Sequence, residues 1–291
     1  MELVPGSKRT VFPWLTDRLP LGETGLQVSP ICLGIVSTED TVSAAFDAGI
    51  NFFFLTADLH WPAYEPLRRG LSNLLSRGGG IREKIIVAAA SYVTQPWFFT
   101  GALLEAAKSV KGLETIDVAI AGGAYSADWA IRLEQYHEAR MHGWAGIRAV
   151  GMSFHDRKTA LIASNQKQVE IAFIRYNPSH PGAREDLFPH LNGSRSIIYN
   201  FKTTNGYVNA ARYAELGLDE SYWRPEITDY YRFALTRPEI EGLLCSPATP
   251  HELEQLTAAL SQGPLDDEEE EHLIYLAALG EGRRVLVDRG V

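Results

Sequence analysis

Titratable side chains recur in this chain directly behind short apolar runs. Asp58 and His60 follow INFFFLTA, Ser91 and Tyr92 follow KIIVAAA, Tyr125 follows TIDVAIAGGA, and His155 with Asp156 follows IRAVGMSF. Farther along, Arg175, Tyr176 and Asn177 close VEIAFI, Lys202 follows IIYNF, and Cys245 with Ser246 ends EGLL. An imidazole works as acid or base near neutral pH, which makes His60 and His155 the candidate catalytic groups, with Tyr92 and Tyr125 assisting as proton donors or lining a pocket. Each histidine has a second reading: His60 as a loop residue bonded to backbone, His155 as a packed residue beside Asp156, which suits the cap of the next helix. Arg175 ends an otherwise apolar run and needs a carboxylate, either Glu185 or Asp186 of the chain or that of a substrate. Asp58, Asn177 and Lys202 are further substrate-contact candidates, and Lys202 would form a Schiff base only if desolvated. Trp61 and Trp97, in loops that also carry Tyr64, Phe98, Phe99, Trp129 and Trp223, suit a flat or apolar ligand. No HxH or HExxH spacing supports a metal site, and no GxGxxG or Walker loop is present.

The runs that carry these residues read as strands: residues 31–36, 50–55, 84–90, 115–121, 147–152, 169–175, 196–201 and 241–245. They are continuously apolar, as a sheet covered on both faces requires. Between them lie segments of helical period at 41–48, 64–75, 100–108, 129–140 and 158–164. Eight strands alternating with helices predict one α/β barrel over residues 1–291, whose active site gathers at the carboxyl ends of the strands. That is where the polar residues fall.

Composition narrows the chemistry. Of 291 residues 45% are hydrophobic and 22% charged, and 27 Lys and Arg stand against 36 Asp and Glu, a net charge of −9. Such a surface lacks the basic footprint of a nucleic-acid binder. No apolar run reaches the ~18 residues of a membrane span, and no apolar segment follows the charged start, so a cytoplasmic protein acting on a small molecule is expected. Two cysteines far apart do not form a disulfide framework. The acidic run from Asp266 to Glu271 precedes Leu273, Ile274 and Leu276 and predicts a helix start rather than a metal site.

In strand order, TGLQVSPICLG (from Thr24), DAGINFFFLTADLH (from Asp47), REKIIVAAASY (from Arg82), LETIDVAIAGG (from Leu113) and IRAVGMSFHDR (from Ile147) resemble the aldo-keto reductase superfamily, as do RYNPSH, YNF and LLCSPATPHELEQL downstream. The resemblance implies a (β/α)8 TIM barrel capped at its floor by an amino-terminal hairpin, an extended NADPH, and hydride transfer to a carbonyl assisted by an Asp, Tyr, Lys and His tetrad. At those four places this chain has Leu55, His60, Ala90 and Gly122. Ser153 stands where the family holds the nicotinamide amide and Tyr199 where a ring stacks on it, so these two would serve a nicotinamide cofactor if one is used. Phe154 and Phe173 replace the usual Asn and Gln, and Ser246, Pro247 and Glu252 fall where the 2′-phosphate is clamped. A carboxylate there repels phosphate. A looser resemblance links SFHDR, RYNPSHPGARED and YYRFAL to bacterial members that also lack the tetrad.

The reading that results is an enzyme of non-redox acid/base chemistry (dehydration, cyclisation, isomerisation or elimination) with no cofactor, His60 as principal acid or base, and Arg175 as anion anchor. NADPH- or NADH-dependent reduction and an inactive binding barrel are the alternatives.

Overall fold

The computed structural model describes residues 7–282, apart from positions 96, 125–127, 194 and 219–222. An antiparallel hairpin of β1 (Leu19–Pro20) and β2 (Gln27–Val28) precedes eight parallel strands. These are β3 (Ile31–Leu33), β4 (Phe52–Thr56), β5 (Ile86–Ser91), β6 (Val118–Ala124), β7 (Ala149–Phe154), β8 (Ile171–Arg175), β9 (Ile197–Phe201) and β10 (Gly242–Cys245), and β10 pairs with β3 to close the barrel. In chain order the helices are α1 (Asp40–Asp47), α2 (Glu65–Ser76), α3 (Ile81–Lys84), α4 (Phe98–Lys108), α5 (Trp129–Met141), α6 (Arg157–Asn165), α7 (Ala183–Asp186), α8 (Ala210–Glu215), α9 (Ile227–Thr236), α10 (Pro250–Ser261) and α11 (Asp267–Gly280). The fold is the expected (β/α)8 TIM barrel with its amino-terminal hairpin. Among the described residues, no helix is long and apolar enough to cross a membrane.

Local chemistry sets the helix starts. Asp156 caps α6 by accepting the Thr159 backbone N–H at 2.8 Å, and Thr249 caps α10 through Glu252 N–H. At the acidic run, Asp266 and Glu269 form a reciprocal capping box on α11, as a cluster at a helix start predicts. One member departs from the solvated-face expectation: Glu270 is buried, and Arg184, Arg237 and Lys8 neutralise it. This ion cluster ties the segment before the hairpin and the loop after β8 to the last helix.

Inside the barrel the side chains stack in layers. Tyr199 lies at the floor, edge-on to Phe52 at 5.7 Å, and its hydroxyl donates to the Ser29 carbonyl at 2.6 Å. Gly242 makes room for that ring, since a Cβ there would sit 2.4 Å from Tyr199 Cζ. Above it Phe54 meets Phe173 edge-on at 5.6 Å, and Tyr64 leans on Phe54. Each such buried aromatic contributes about 1.5–3 kcal/mol relative to exposure. The filled interior leaves the mouth as the place where chemistry can occur.

Candidate functional site

Strand register decides which residues reach the mouth. Ser153, Phe173 and Tyr199 are paired across β7, β8 and β9, and Phe173 packs against Tyr199 inside the barrel. Side chains alternate along a strand, so two residues farther on His155, Arg175 and Phe201 form the next inward row, at the mouth. Arg175 and Phe201 are direct Cα partners, and the His155 ring stands edge-on to Phe201 at 5.5 Å. Lys202 follows on the rim, with φ held at +54°.

This row is rich in unspent positive charge. Asp186, one of the two expected partners of Arg175, is taken by Arg157, with Nε and Nη2 each 2.6 Å from a carboxylate oxygen. Among the described residues neither Arg175 nor Lys202 donates a side-chain hydrogen bond or forms an ion pair. Burial holds the half-buried His155 below the ordinary histidine range, and Lys202 and then Arg175 add to that shift. A neutral imidazole therefore sits beside two permanent cations.

On the opposite arc, at the ends of β4, β5 and β6, the carboxylate and most polar groups among the described residues are spent on one another, although the buried Thr56 hydroxyl and Arg132 Nε have no partner there. Asp58 accepts the Ser91 hydroxyl at 2.6 Å and the Tyr92 backbone N–H at 3.0 Å, fastening the loop after β4 to the end of β5. The Tyr92 ring rests on Gly122, where a Cβ would fall 2.7 Å from Tyr92 Cδ1. Gly122 and Ala90, both inward-facing, thus leave space that an aromatic ring fills. From the shell, buried Arg132 donates to the Gly122 carbonyl at 2.8 Å, and the Tyr136 hydroxyl points at the Ser91 carbonyl. Burial pushes the Tyr64 hydroxyl well above the ordinary phenol range, with Tyr92 and Cys32 as lesser neighbours. Tyr64, which the sequence offered only as one more loop aromatic, is therefore a protonated donor facing Tyr92. The one local signal for it is Pro62, which sets the short 3-10 turn Trp61–Tyr64 that turns the ring inward.

Other candidates are placed elsewhere. His60 is exposed, left-handed at φ +64°, and its carbonyl accepts from Ala63 at 3.0 Å at the start of that turn. Trp61 lies under the Arg68 guanidinium at 4.0 Å. Trp97 pairs edge-on with Trp144 at 5.2 Å, in the turn that leads into β7, and so belongs to the helical shell. Asn177 is fully buried and donates to the Lys202 carbonyl at 2.8 Å, which makes it a clamp between the β8 and β9 ends. Leu55 turns outward, because its neighbours Phe54 and Thr56 face inward; the inner position next to the expected Asp place is aromatic. Tyr125 lies outside the described residues.

No family model and no curated protein matches the chain. Solved structures do. A Pseudomonas aeruginosa protein assigned to the aldo-keto reductases superposes with a TM-score of 0.61 at 19% identity, covering 87% of this chain and 98% of that one. The aldo-keto reductase of Bacillus halodurans matches in its apo form at TM-score 0.62 and 16% identity, and in its holo form at 0.64 and 17%, each covering 94% of this chain and 99% of that one. The chain has the aldo-keto reductase fold. The holo form of the Bacillus halodurans neighbour overturns the expectation of a barrel without a cofactor, because a protein of this fold is solved with one bound.

The side chains fit a nicotinamide cofactor unevenly. The Ser153 hydroxyl, one row below the mouth, accepts the Gly123 N–H at 2.8 Å. Tyr199, in contrast, is spent at the floor on Ser29, and the aromatic ring at mouth level is Phe201. Glu252 holds its carboxylate on the Ala248 N–H at 2.8 Å, so the last loop presents a negative charge where the resemblance puts a 2′-phosphate. These residues do not fit the extra phosphate of NADPH.

Proposed function

We propose that the chain is a small-molecule enzyme on an aldo-keto reductase-like barrel that works by acid/base chemistry at an anionic substrate. The observation that carries this reading is the mouth row of His155, Arg175 and Phe201, with Lys202 beside it and no protein carboxylate on either cation among the described residues. Arg175 anchors the anion, Phe201 flanks its carbon skeleton, and His155 takes the acid/base role for which His60 was the first expectation. With its ordinary proton affinity depressed, His155 enters the site as a base. It removes a proton from carbon or oxygen next to the anchored anion, and Tyr64 and Tyr92 across the mouth are placed to return one to the developing product. Dehydration, elimination and isomerisation share this two-sided proton transfer.

The test works without the product being identified. Incubating the protein with a panel of carboxylate and phosphorylated metabolites in deuterium oxide, and following carbon-bound deuterium by NMR, reads proton abstraction directly. Exchange that falls by a factor of about 100 or more in His155→Gln, with the fold retained, is the expected result; exchange unchanged by that substitution overturns it.

A second reading, reduction of a carbonyl with a nicotinamide cofactor, is favoured by the holo neighbour. Titration with NADH and NADPH separates the two. Micromolar binding followed by oxidation of the reduced cofactor with a carbonyl substrate would replace the acid/base reading. Ligand binding with neither exchange nor reduction would leave a binding barrel.

A further inference from the structure

We propose that the anionic group this mouth accepts is a phosphate monoester, a compact dianion gripped by Arg175 and Lys202 together. The inference rests on the acid/base reading of the same site and adds the class of substrate.

Geometry comes first. Arg175 and Phe201 face each other across adjacent strands, and Lys202 follows Phe201, so the two permanent cations rise from neighbouring strand ends about 4.8 Å apart. His155 stands at the end of the next strand on the other side, in the same row. Basic side chains thus rise from three consecutive strand ends, an array that suits a tetrahedral group with three free oxygens better than a planar carboxylate with two. An Arg fork engages two of those oxygens at once, and a Lys supplies a point charge.

Charge count leads to the same ligand. A monoanion would neutralise one cation and leave the other unpaired beside the imidazole, whereas a dianion matches both. His155 lies beside Lys202 and Arg175, whose charges act on it. The Asp156 carboxylate is occupied by the Thr159 hydroxyl and N–H as the α6 cap.

Backbone construction supports a dedicated role for Lys202. Its left-handed φ of +54° is unfavourable for any residue with a Cβ. The conformation is clamped from two sides: Asn177 donates to the Lys202 carbonyl at 2.8 Å, and Asn200 donates to Thr203 Oγ1 at 2.9 Å. Asn177 and Asn200 are thereby positioning residues that hold the Lys202 backbone at the rim.

Calorimetric titration of the full chain with phenyl phosphate, succinate and benzoate tests the inference. Phenyl phosphate is expected to bind about tenfold or more tightly than benzoate. Lys202→Ala should cost phenyl phosphate about tenfold while leaving benzoate unchanged. Benzoate binding as tightly as phenyl phosphate, succinate binding more tightly than either, or Lys202→Ala without effect would each overturn the proposal. Failure here and failure of the acid/base reading look different. Deuterium exchange that depends on His155 without a preference for phosphate keeps the enzyme and removes the phosphate site; tight phosphate binding without exchange does the reverse.

Discussion

The two arcs of the barrel mouth are built from similar residue types and differ in what those residues have left to give. On the β4–β6 side a carboxylate, a serine, two tyrosines and an arginine lie close together, yet Asp58 is committed to Ser91 and Tyr92 and Arg132 to the Gly122 carbonyl. On the β7–β9 side a histidine, an arginine and a lysine converge with no carboxylate on the two cations among the described residues. Charge and polarity alone would not separate these arcs. Their hydrogen-bond accounts do, because a buried polar group satisfied by protein contributes to the fold, while one left unpaired at a mouth is available to a ligand.

The largest expected effect breaks the β4–β6 arc. Asp58→Ala removes an acceptor from the Ser91 hydroxyl and the Tyr92 N–H and should cost about 3 kcal/mol in denaturant unfolding. Arg175→Ala, on the other arc, should change stability by no more than about 0.5 kcal/mol while weakening anion binding. Equal losses for both variants would erase the distinction.

A smaller effect is expected at Gly122. A methyl group there meets the Tyr92 ring at 2.7 Å, so Gly122→Ala should displace the ring and cost about 1–3 kcal/mol, visible as a lowered Tm. Phosphate affinity on the far arc should stay within about twofold of the parent, since Arg175 and Lys202 rise from other strands.

Lys202→Gly sharpens the contrast from the unsatisfied side. Relief of the left-handed strain should raise stability by about 0.5–1 kcal/mol in the same unfolding experiment, while the anchor for the ligand is lost. A residue whose removal stabilises the protein and weakens binding is one kept for function.

The last expected effect is the smallest. Because the folded state holds His155 below its ordinary proton affinity, the unfolded chain binds more protons as pH falls through the ordinary histidine value of about 6.5, and folding loses stability there, down to the lowered folded value. Stability from this group is complete above that window. Lys202→Ala should move the His155 midpoint upward in an NMR titration; an unmoved midpoint would mean that the two side chains do not share a site.

Much of this architecture was legible in the sequence because its causes are local. Eight continuous apolar runs became eight strands, and Asp156 and the acidic run at Asp266 announced helix starts that the structure places where they were expected. The site was legible only as a ring of candidates. Asp58 and Asn177 carry the same polar groups whether they bind substrate or staple loops, and only their partners show the second. In Phe52–Leu55, four large apolar residues in succession hide which face is which, so Leu55 and Phe54 could not be told apart until the register was known.

Sequence by itself determined the barrel, since periodicity, caps and turn residues act within a few positions and point to the same answer. Tertiary structure alone decided which histidine looks into the mouth. His60 and His155 both follow a strand, but one loop turns left-handed into solvent and the other carries its imidazole into the row of Arg175 and Phe201. That choice depends on strand register across the closed barrel, a relation between residues twenty or more positions apart that no local pattern encodes.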